Sequence, residues 1–433
     1  MAGYAGRPIG ALGVHDPLYA RAVVLDNGVC RLAVIVADLI ALDVDLVERV
    51  REGVATALSI TPTCVMVHCT HTHGGPYTRS FRAMGHRDDA YVDVLVRKLI
   101  GAAAMAATDL RPATLTYGEA PAQIGVNRRR SLPAGPVSLQ PNYAGPVAAR
   151  VQALCIGTPD GRTRAMLFSH ACHPTVMGGN NLRFTADWPG AAVTHLQRLM
   201  RREDSGWVDD GLAACLVGCC GDINPVHRDT WEAVADAGAQ IGGAAHTARW
   251  NAHGQLDETL QAGEETLDLP LLPAPPAAES ARWIETATER LEAARRADAD
   301  RGRLMMEQGM LDWAQEIHAL SQVAAPPTTR SFTIQRLTLG GVHLLGFPAE
   351  MFVRYQLDLV ARCRGPMFAL GVTNGCHGYL PTSAEYSRGG YEVEEAYKYY
   401  GTQMFAPDCE ALVRAAAYRL LGLSDADLTS LPV

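Results

Sequence analysis

The feature that most constrains this chain is a repeated placement, in which short apolar runs end in clusters of histidine, carboxylate, glycine and proline. Residues 64–67 lead into Cys69-Thr70-His71-Thr72-His73-Gly74-Gly75-Pro76, residues 165–168 into Ser169-His170-Ala171-Cys172-His173-Pro174-Thr175, and residues 213–217 into Cys219-Cys220-Gly221-Asp222-Ile223-Asn224-Pro225. Short apolar runs bounded by turn formers read as buried strands. Polar residues gathered at the ends of such strands are where α/β sheets build ligand sites.

Helical spacing separates the runs. Residues 45–58 carry Val47, Val50, Val54 and Leu58 on one face, and residues 91–110, 191–200 and 230–246 also read as helices. Residues 22–25 and 32–37 flank Asp26-Asn27-Gly28, a hairpin signal because Asn-Gly accepts positive φ. Later, residues 332–339 and 342–345 form a second hairpin around Gly340-Gly341, followed by a helix at 350–364 and a strand at 368–372. The expected fold is α/β, a mixed-sheet core with flanking helices, in a single domain spanning 1–433. The Pro-rich residues 269–276 read as a linker and 280–322 as a helical segment. Together they form a helical insertion at about 269–327 that is expected to cover the site and set specificity.

Composition narrows the function. A net charge of -8 with scattered Lys and Arg offers no footprint for nucleic acid. No apolar run approaches the ~20 residues of a membrane span, nor does any segment read as an amphipathic anchor, so no stable membrane association is expected. The N-terminus lacks the charged start and apolar run of a signal peptide, and an odd count of 11 cysteines does not suit a disulfide framework. Both point to a cytoplasmic protein with reduced thiols. Its expected partner is a small-molecule substrate, and homo-oligomerisation stays open.

Each motif has a chemical and a bland interpretation. His71 and His73 sit at one strand end and His173 at another, as metal ligands or as hydrogen-bonded structural histidines. Pro174 stiffens the turn beside His173. Asp222 would orient a ligand histidine and Asn224 would donate to an oxyanion, or both would serve an Asx turn. Glu350, following Gly346-Phe347-Pro348-Ala349, would begin a helix, where a carboxylate is favoured without any metal. Tyr379 and Tyr391 lie among glycines instead of in an apolar stripe. Taken jointly, two histidines, a glutamate and a further oxygen ligand would form a zinc site able to activate water.

At these residues the chain resembles the catalytic domain of neutral ceramidases, whose pattern contains His-Thr-His-Ser-Gly-Pro, His-Pro-Thr, Gly-Asp-Val-Ser-Pro, Pro-Gly-Glu and a Tyr-rich C-terminal stretch. Matches run from about Gly13 to Tyr400, including the spacing of twelve between Tyr379 and Tyr391. The resemblance implies one Zn2+ per chain bound by His71, His173, Glu350 and Tyr379. It places His73 and Tyr391 at the tetrahedral intermediate or leaving group and matches Arg128 to a site arginine. The implied reaction is attack of metal-activated water on a carbonyl, with His73, Tyr391 and Arg128 on the oxyanion and Glu350 able to take the water's proton. Asn224 stands where the motif has serine, which removes any serine nucleophile, and Gly74 replaces another motif serine. With no immunoglobulin-like domain expected after the Tyr-rich stretch, the expected substrate is a small amide, or a lactone or ester, other than ceramide.

Three rival interpretations remain at this point. An amidohydrolase-type TIM barrel also places His-x-His after a strand, but the strand and helix order here is less regular than eight repeated units. A catalytically silent metal-binding or scaffold protein would account for the lost serine. A cysteine nucleophile at Cys172 or Cys220 would need a neighbouring histidine.

Overall fold

The computed structural model describes residues 1–202, 207–252, 254–401 and 403–423. Three sheets lie at its centre. In the first, Ala20–Asp26 and Arg31–Ala37 are antiparallel, and Val65–Cys69 adds parallel to Arg31–Ala37. In the second, Thr114–Pro121, Arg150–Gly157 and Thr163–His170 form an antiparallel meander to which Trp207–Val217 adds parallel. The third repeats that plan with Leu260–Pro270, Thr329–Leu339 and Val342–Gly346, then Met367–Leu370 in parallel.

Period-two alternation assigns the faces of every sheet. Leu32, Val34 and Val36 of the first sheet meet Leu154, Leu167 and Leu216 of the second and Leu337, Leu344 and Phe368 of the third in one shared core. Their sequence neighbours point outward under helices. Ala33 and Ile35 pack under Val44–Leu58 and Asp89–Thr108, Cys155 and Phe168 under Asp187–Arg202 and Trp231–Trp250, and Phe332 and Ala369 under Val353–Arg362 and Cys409–Leu420. Burial on both faces explains why the central strands read as unbroken apolar runs.

Where the three sheets meet, the fully buried His68 accepts from the Val217 N–H at Nε2 (2.9 Å) and donates from Nδ1 to Thr373 Oγ1 (2.9 Å). Burial, with His71 nearby, lowers its pKa to about 3, so the ring stays neutral in this tautomer. One imidazole thus ties the end of a first-sheet strand to the second sheet and to the turn leaving the third. The parallel strands of all three sheets end here, and the histidine, Gly-Asp and Tyr-rich motifs leave from those ends.

The α/β mixed-sheet architecture expected from sequence is present, with two corrections to its elements. Leu269 and Pro270 are not linker: they close the Leu260–Pro270 edge strand, where Leu269 is fully buried and an edge position tolerates proline. Glu350 does not open a helix. It lies in the two-residue strand Glu350–Met351, parallel to Tyr379–Leu380, and the helix begins at Val353. The helix-terminus explanation for Glu350 therefore fails, and the register sets Glu350 beside Tyr379. Separate sheets containing antiparallel meanders also exclude a TIM barrel among the described residues.

The insertion is an antiparallel pair, Ala277–Arg296 and Arg301–Ser321, with its own core around stacked Trp283 and Trp313. It clamps the N-terminal segment so closely that a Cβ on Gly302 would lie 1.9 Å from the Gly6 carbonyl oxygen. Trp313 also packs edge-on against Tyr397. The pair therefore borders the segments that reach the site from the N-terminus and from residues 391–400. No described helix is long and apolar enough to cross a membrane.

Candidate metal centre

The site is built from three strand-end turns and the short parallel bridge. His71 takes the left-handed conformation (φ 63°), which is costly for a residue with a Cβ, and its Nδ1 donates to the Ile40 carbonyl (2.7 Å) in the segment that follows the neighbouring strand Arg31–Ala37. Two residues on, His73 Nδ1 donates to the Gly3 carbonyl (2.8 Å). His173 Nδ1 donates to the Cys220 carbonyl (2.6 Å). A carbonyl only accepts, so each ring carries a proton on Nδ1, and in the neutral form of each ring Nε2 is the lone pair turned inward.

Those lone pairs converge. One ligand atom from each of His71, His73 and His173 lies within 4.8 Å of the others, a group able to hold a metal ion. The Nε2 atoms of His71 and His73 are buried without a hydrogen-bond partner. Glu350 Oε2 stands 3.0 Å from His173 Nε2 and 3.2 Å from His71 Nε2. Burial lowers the pKa of His173 to about 4, with Arg128 adding to it, and pushes His73 well down, with His71 adding. Burial alone would raise Glu350, and what holds it well below the usual carboxylate range is positive charge on the side of His71 and His173, a charge that rings protonated on Nδ1 alone do not carry and a bound cation would. A carboxylate and imidazole nitrogens facing one another suit a cation between them, and three nitrogens with one oxygen suit zinc. The residues present fit the metal that the sequence pattern implies.

Each sequence-predicted residue has a definite place. His71, His173 and Glu350 come together, and His73 joins them as a third imidazole aimed into the cluster instead of standing apart from it. Tyr379 packs over His173 with ring centroids 6.4 Å apart, and its hydroxyl accepts from Arg128 Nη2 (3.0 Å). Tyr391 lies edge-on to Tyr379 at 6.1 Å. Arg128 also reaches Asn224 Oδ1 (3.1 Å) from Nη1 and Glu392 (2.8 Å) from Nε. With its oxygen occupied, Asn224 has Nδ2 left as a donor. Asp222 departs from expectation, because it touches no imidazole. Its Oδ1 accepts from the Val353 N–H (2.7 Å) and its Oδ2 from Asn127 Nδ2 (2.9 Å), so it caps a helix start while the Cys220 carbonyl orients His173.

Close backbone approach explains two glycines. A Cβ on Gly74 would fall 2.6 Å from the Thr185 carbonyl oxygen, and one on Gly221 would fall 2.6 Å from that of Glu350. The cysteine-nucleophile interpretation loses its chemistry, since Cys172 and Cys220 are buried and burial raises both thiols well above the ordinary value. Sequence reasoning missed Glu392, which bridges Arg128 and Arg129 while fully enclosed, and Tyr400, which donates to Glu350 Oε1. It also missed Arg7, which fastens the N-terminal segment by donating to the Ala2 (2.7 Å) and His73 (3.0 Å) carbonyls. A carboxylate directly after Gly389-Gly390-Tyr391 was the available signal for Glu392 and the Tyr-rich stretch was that for Tyr400, whereas Arg7 carried none.

Comparison with known proteins shows the family and the fold. Residues 1–255 match the family described as neutral/alkaline non-lysosomal ceramidase, N-terminal. The fold is similar to the crystal structure of neutral ceramidase from Pseudomonas aeruginosa, with a TM-score of 0.68 and 17% identity over 96% of this chain and 72% of that one. It is also similar to a structure of ceramidase complexed with C2, with a TM-score of 0.71 and 18% identity over 98% of this chain and 73% of that one. No curated protein matches the chain by sequence. The chain belongs to the neutral/alkaline non-lysosomal ceramidase family.

Proposed function

We propose that the chain is a zinc-dependent hydrolase that cleaves an amide bond in a small molecule other than ceramide. The observation that carries this is the convergence of imidazole Nε2 atoms on the Glu350 carboxylate, with every Nδ1 spoken for by a backbone carbonyl. Zinc held there supplies Lewis acidity and a water activated near neutral pH. His71, His173 and Glu350 would hold it, joined by His73 or by Tyr379.

The remaining residues prepare the surroundings. Glu392 fixes the Arg128 guanidinium, whose positive charge stands beside Tyr379 and Asn224 where a carbonyl oxygen gains charge during attack. Asn224 Nδ2 and the Tyr391 hydroxyl are further donors to that oxygen. Glu350, with Oε1 taken by Tyr400 and Oε2 turned to the imidazoles, would act as an anionic ligand. Family membership supports an amide as the scissile bond, and the same apparatus would open an ester or lactone. Asn224 and Gly74, both standing where the family motif has serine, support a substrate different from ceramide. Eleven unpaired cysteines support a reducing, cytoplasmic setting.

The test begins with elemental mass spectrometry of the purified chain beside folded His71→Ala, His173→Ala and Glu350→Ala variants, followed by a panel of N-acyl compounds, esters and lactones. About one zinc per chain in the wild type, lost in the variants, together with chelator-sensitive release of an amine from an N-acyl compound, is the expected result. A zinc-loaded protein that hydrolyses nothing in the panel would move the silent metal-binding interpretation to the front.

A further inference from the structure

We infer that Tyr400 is a positioning residue of the metal centre, whose hydroxyl holds Glu350 Oε1 so that Oε2 alone is turned to the imidazoles. The inference rests on the metal-site interpretation of His71, His173 and Glu350. Tyr400 donates to Glu350 Oε1, while Oε2 of the same carboxylate stands 3.0 Å from His173 Nε2 and 3.2 Å from His71 Nε2. A carboxylate with one oxygen occupied by an O–H donor offers a metal a single oxygen, and its rotation about the terminal torsion is stopped.

The phenol is itself held from several sides. Phe81 meets the ring edge-on at 5.1 Å, and the Arg79 guanidinium lies 4.6 Å from its centroid. The backbone of Gly378 comes so near that a Cβ there would be 3.3 Å from the ring. Arg79 is in turn fixed by donating to the Cys376 carbonyl (2.8 Å). Gly378 and Cys376 belong to the turn that delivers Tyr379, and the Gly378 carbonyl accepts from the Glu350 N–H (2.9 Å). The ring that aims the carboxylate is therefore seated on the backbone that places it.

The decisive comparison is zinc affinity, measured by competition with a chromogenic chelator, in wild type, Tyr400→Phe and a chain carrying 3-fluorotyrosine at position 400. Circular dichroism monitors folding, and the absorption spectrum of the Co2+-substituted proteins reports the ligand arrangement. Tyr400→Phe should weaken zinc binding by about 10–100-fold and change the Co2+ spectrum as Glu350 turns to offer both oxygens. The fluorotyrosine chain, which keeps the hydroxyl, should bind as wild type does. A folded Tyr400→Phe protein with wild-type affinity and spectrum overturns the inference and leaves the metal site standing. Lost affinity in the fluorotyrosine chain overturns it as well. A wild type that takes up no zinc overturns both this inference and the metal-site interpretation beneath it.

Discussion

Glu392→Gln is the substitution whose consequence the structure fixes best. Its carboxylate is 1% exposed and accepts from Arg128 Nε at 2.8 Å and from Arg129 Nη1, so one anion serves two buried guanidinium groups. The amide keeps the size, removes the charge and turns a donor toward one of the cations. Removing one partner of a buried ion pair costs about 3–5 kcal/mol, because the stranded charge stays in a poorly solvated place. Unfolding entropy of about 2.1 cal/mol/K per residue gives about 0.9 kcal/mol/K for 433 residues, so the melting temperature should fall by about 3–6 °C. Differential scanning calorimetry of chelator-treated protein measures this without interference from metal. Glu385→Gln is the companion, since Glu385 serves Arg129 and Arg388 but not Arg128. Both variants should lose stability, and only Glu392→Gln should also depress turnover, by freeing Arg128. A Glu392→Gln protein that melts within 1 °C of wild type, taken as about the reproducibility of the scan, would refute the assignment of Glu392 as the keystone of this charge network.

Zinc at about 100 times its dissociation constant should stabilise the protein by about 2.7 kcal/mol, a rise of about 3 °C in the same scans, and His173→Ala should abolish it. Gly221→Ala should lower zinc affinity as well as stability, the latter by about 1–3 kcal/mol, because the new methyl pushes on the Glu350 carbonyl; unchanged zinc binding would speak against that coupling. Burial raises Asp222 from 3.8 to about 7, so the folded chain keeps this proton between about pH 4 and 7 while the unfolded chain has lost it. The stability Asp222 contributes is thus complete below the unfolded value and lost as pH rises through that window. Urea unfolding of Asp222→Asn across the same range should show a flatter pH dependence than wild type, and equal slopes would refute the shift.

Much of this site was legible because its residues break the local pattern. An imidazole or carboxylate directly after an unbroken apolar run stands out, as His71, His173 and Asp222 did, and the shared core explains why those runs are unbroken. The strands Thr114–Pro121 and Arg150–Gly157 escaped notice. The first mixes half-buried Thr, Tyr and Glu with apolar residues, and the second is interrupted at its third position by the buried Gln152, which shortens its apolar run to four residues. Glu350 was found as a residue and misplaced as an element, since a two-residue parallel bridge leaves no periodicity to read. The role given to Asp222 failed for a related reason. The partner that aims His173 is the carbonyl of Cys220, and a main-chain oxygen has no signature in a sequence.

That last feature bears on how the site can change over time. All three imidazoles are aimed by peptide oxygens, from Ile40, Gly3 and Cys220, and every amino acid carries the same peptide oxygen. Point mutation at Ile40 or Cys220 leaves the aiming atom in place, whereas a Cβ at Gly3, where φ is 102°, would fall 2.6 Å from the His73 ring, so an alanine scan would pass over two of the positions and register the third. Lineages descended from such a chain can change the side chains at Ile40 and Cys220, provided the lengths of the adjoining turns and the glycines at 3, 74 and 221 are kept.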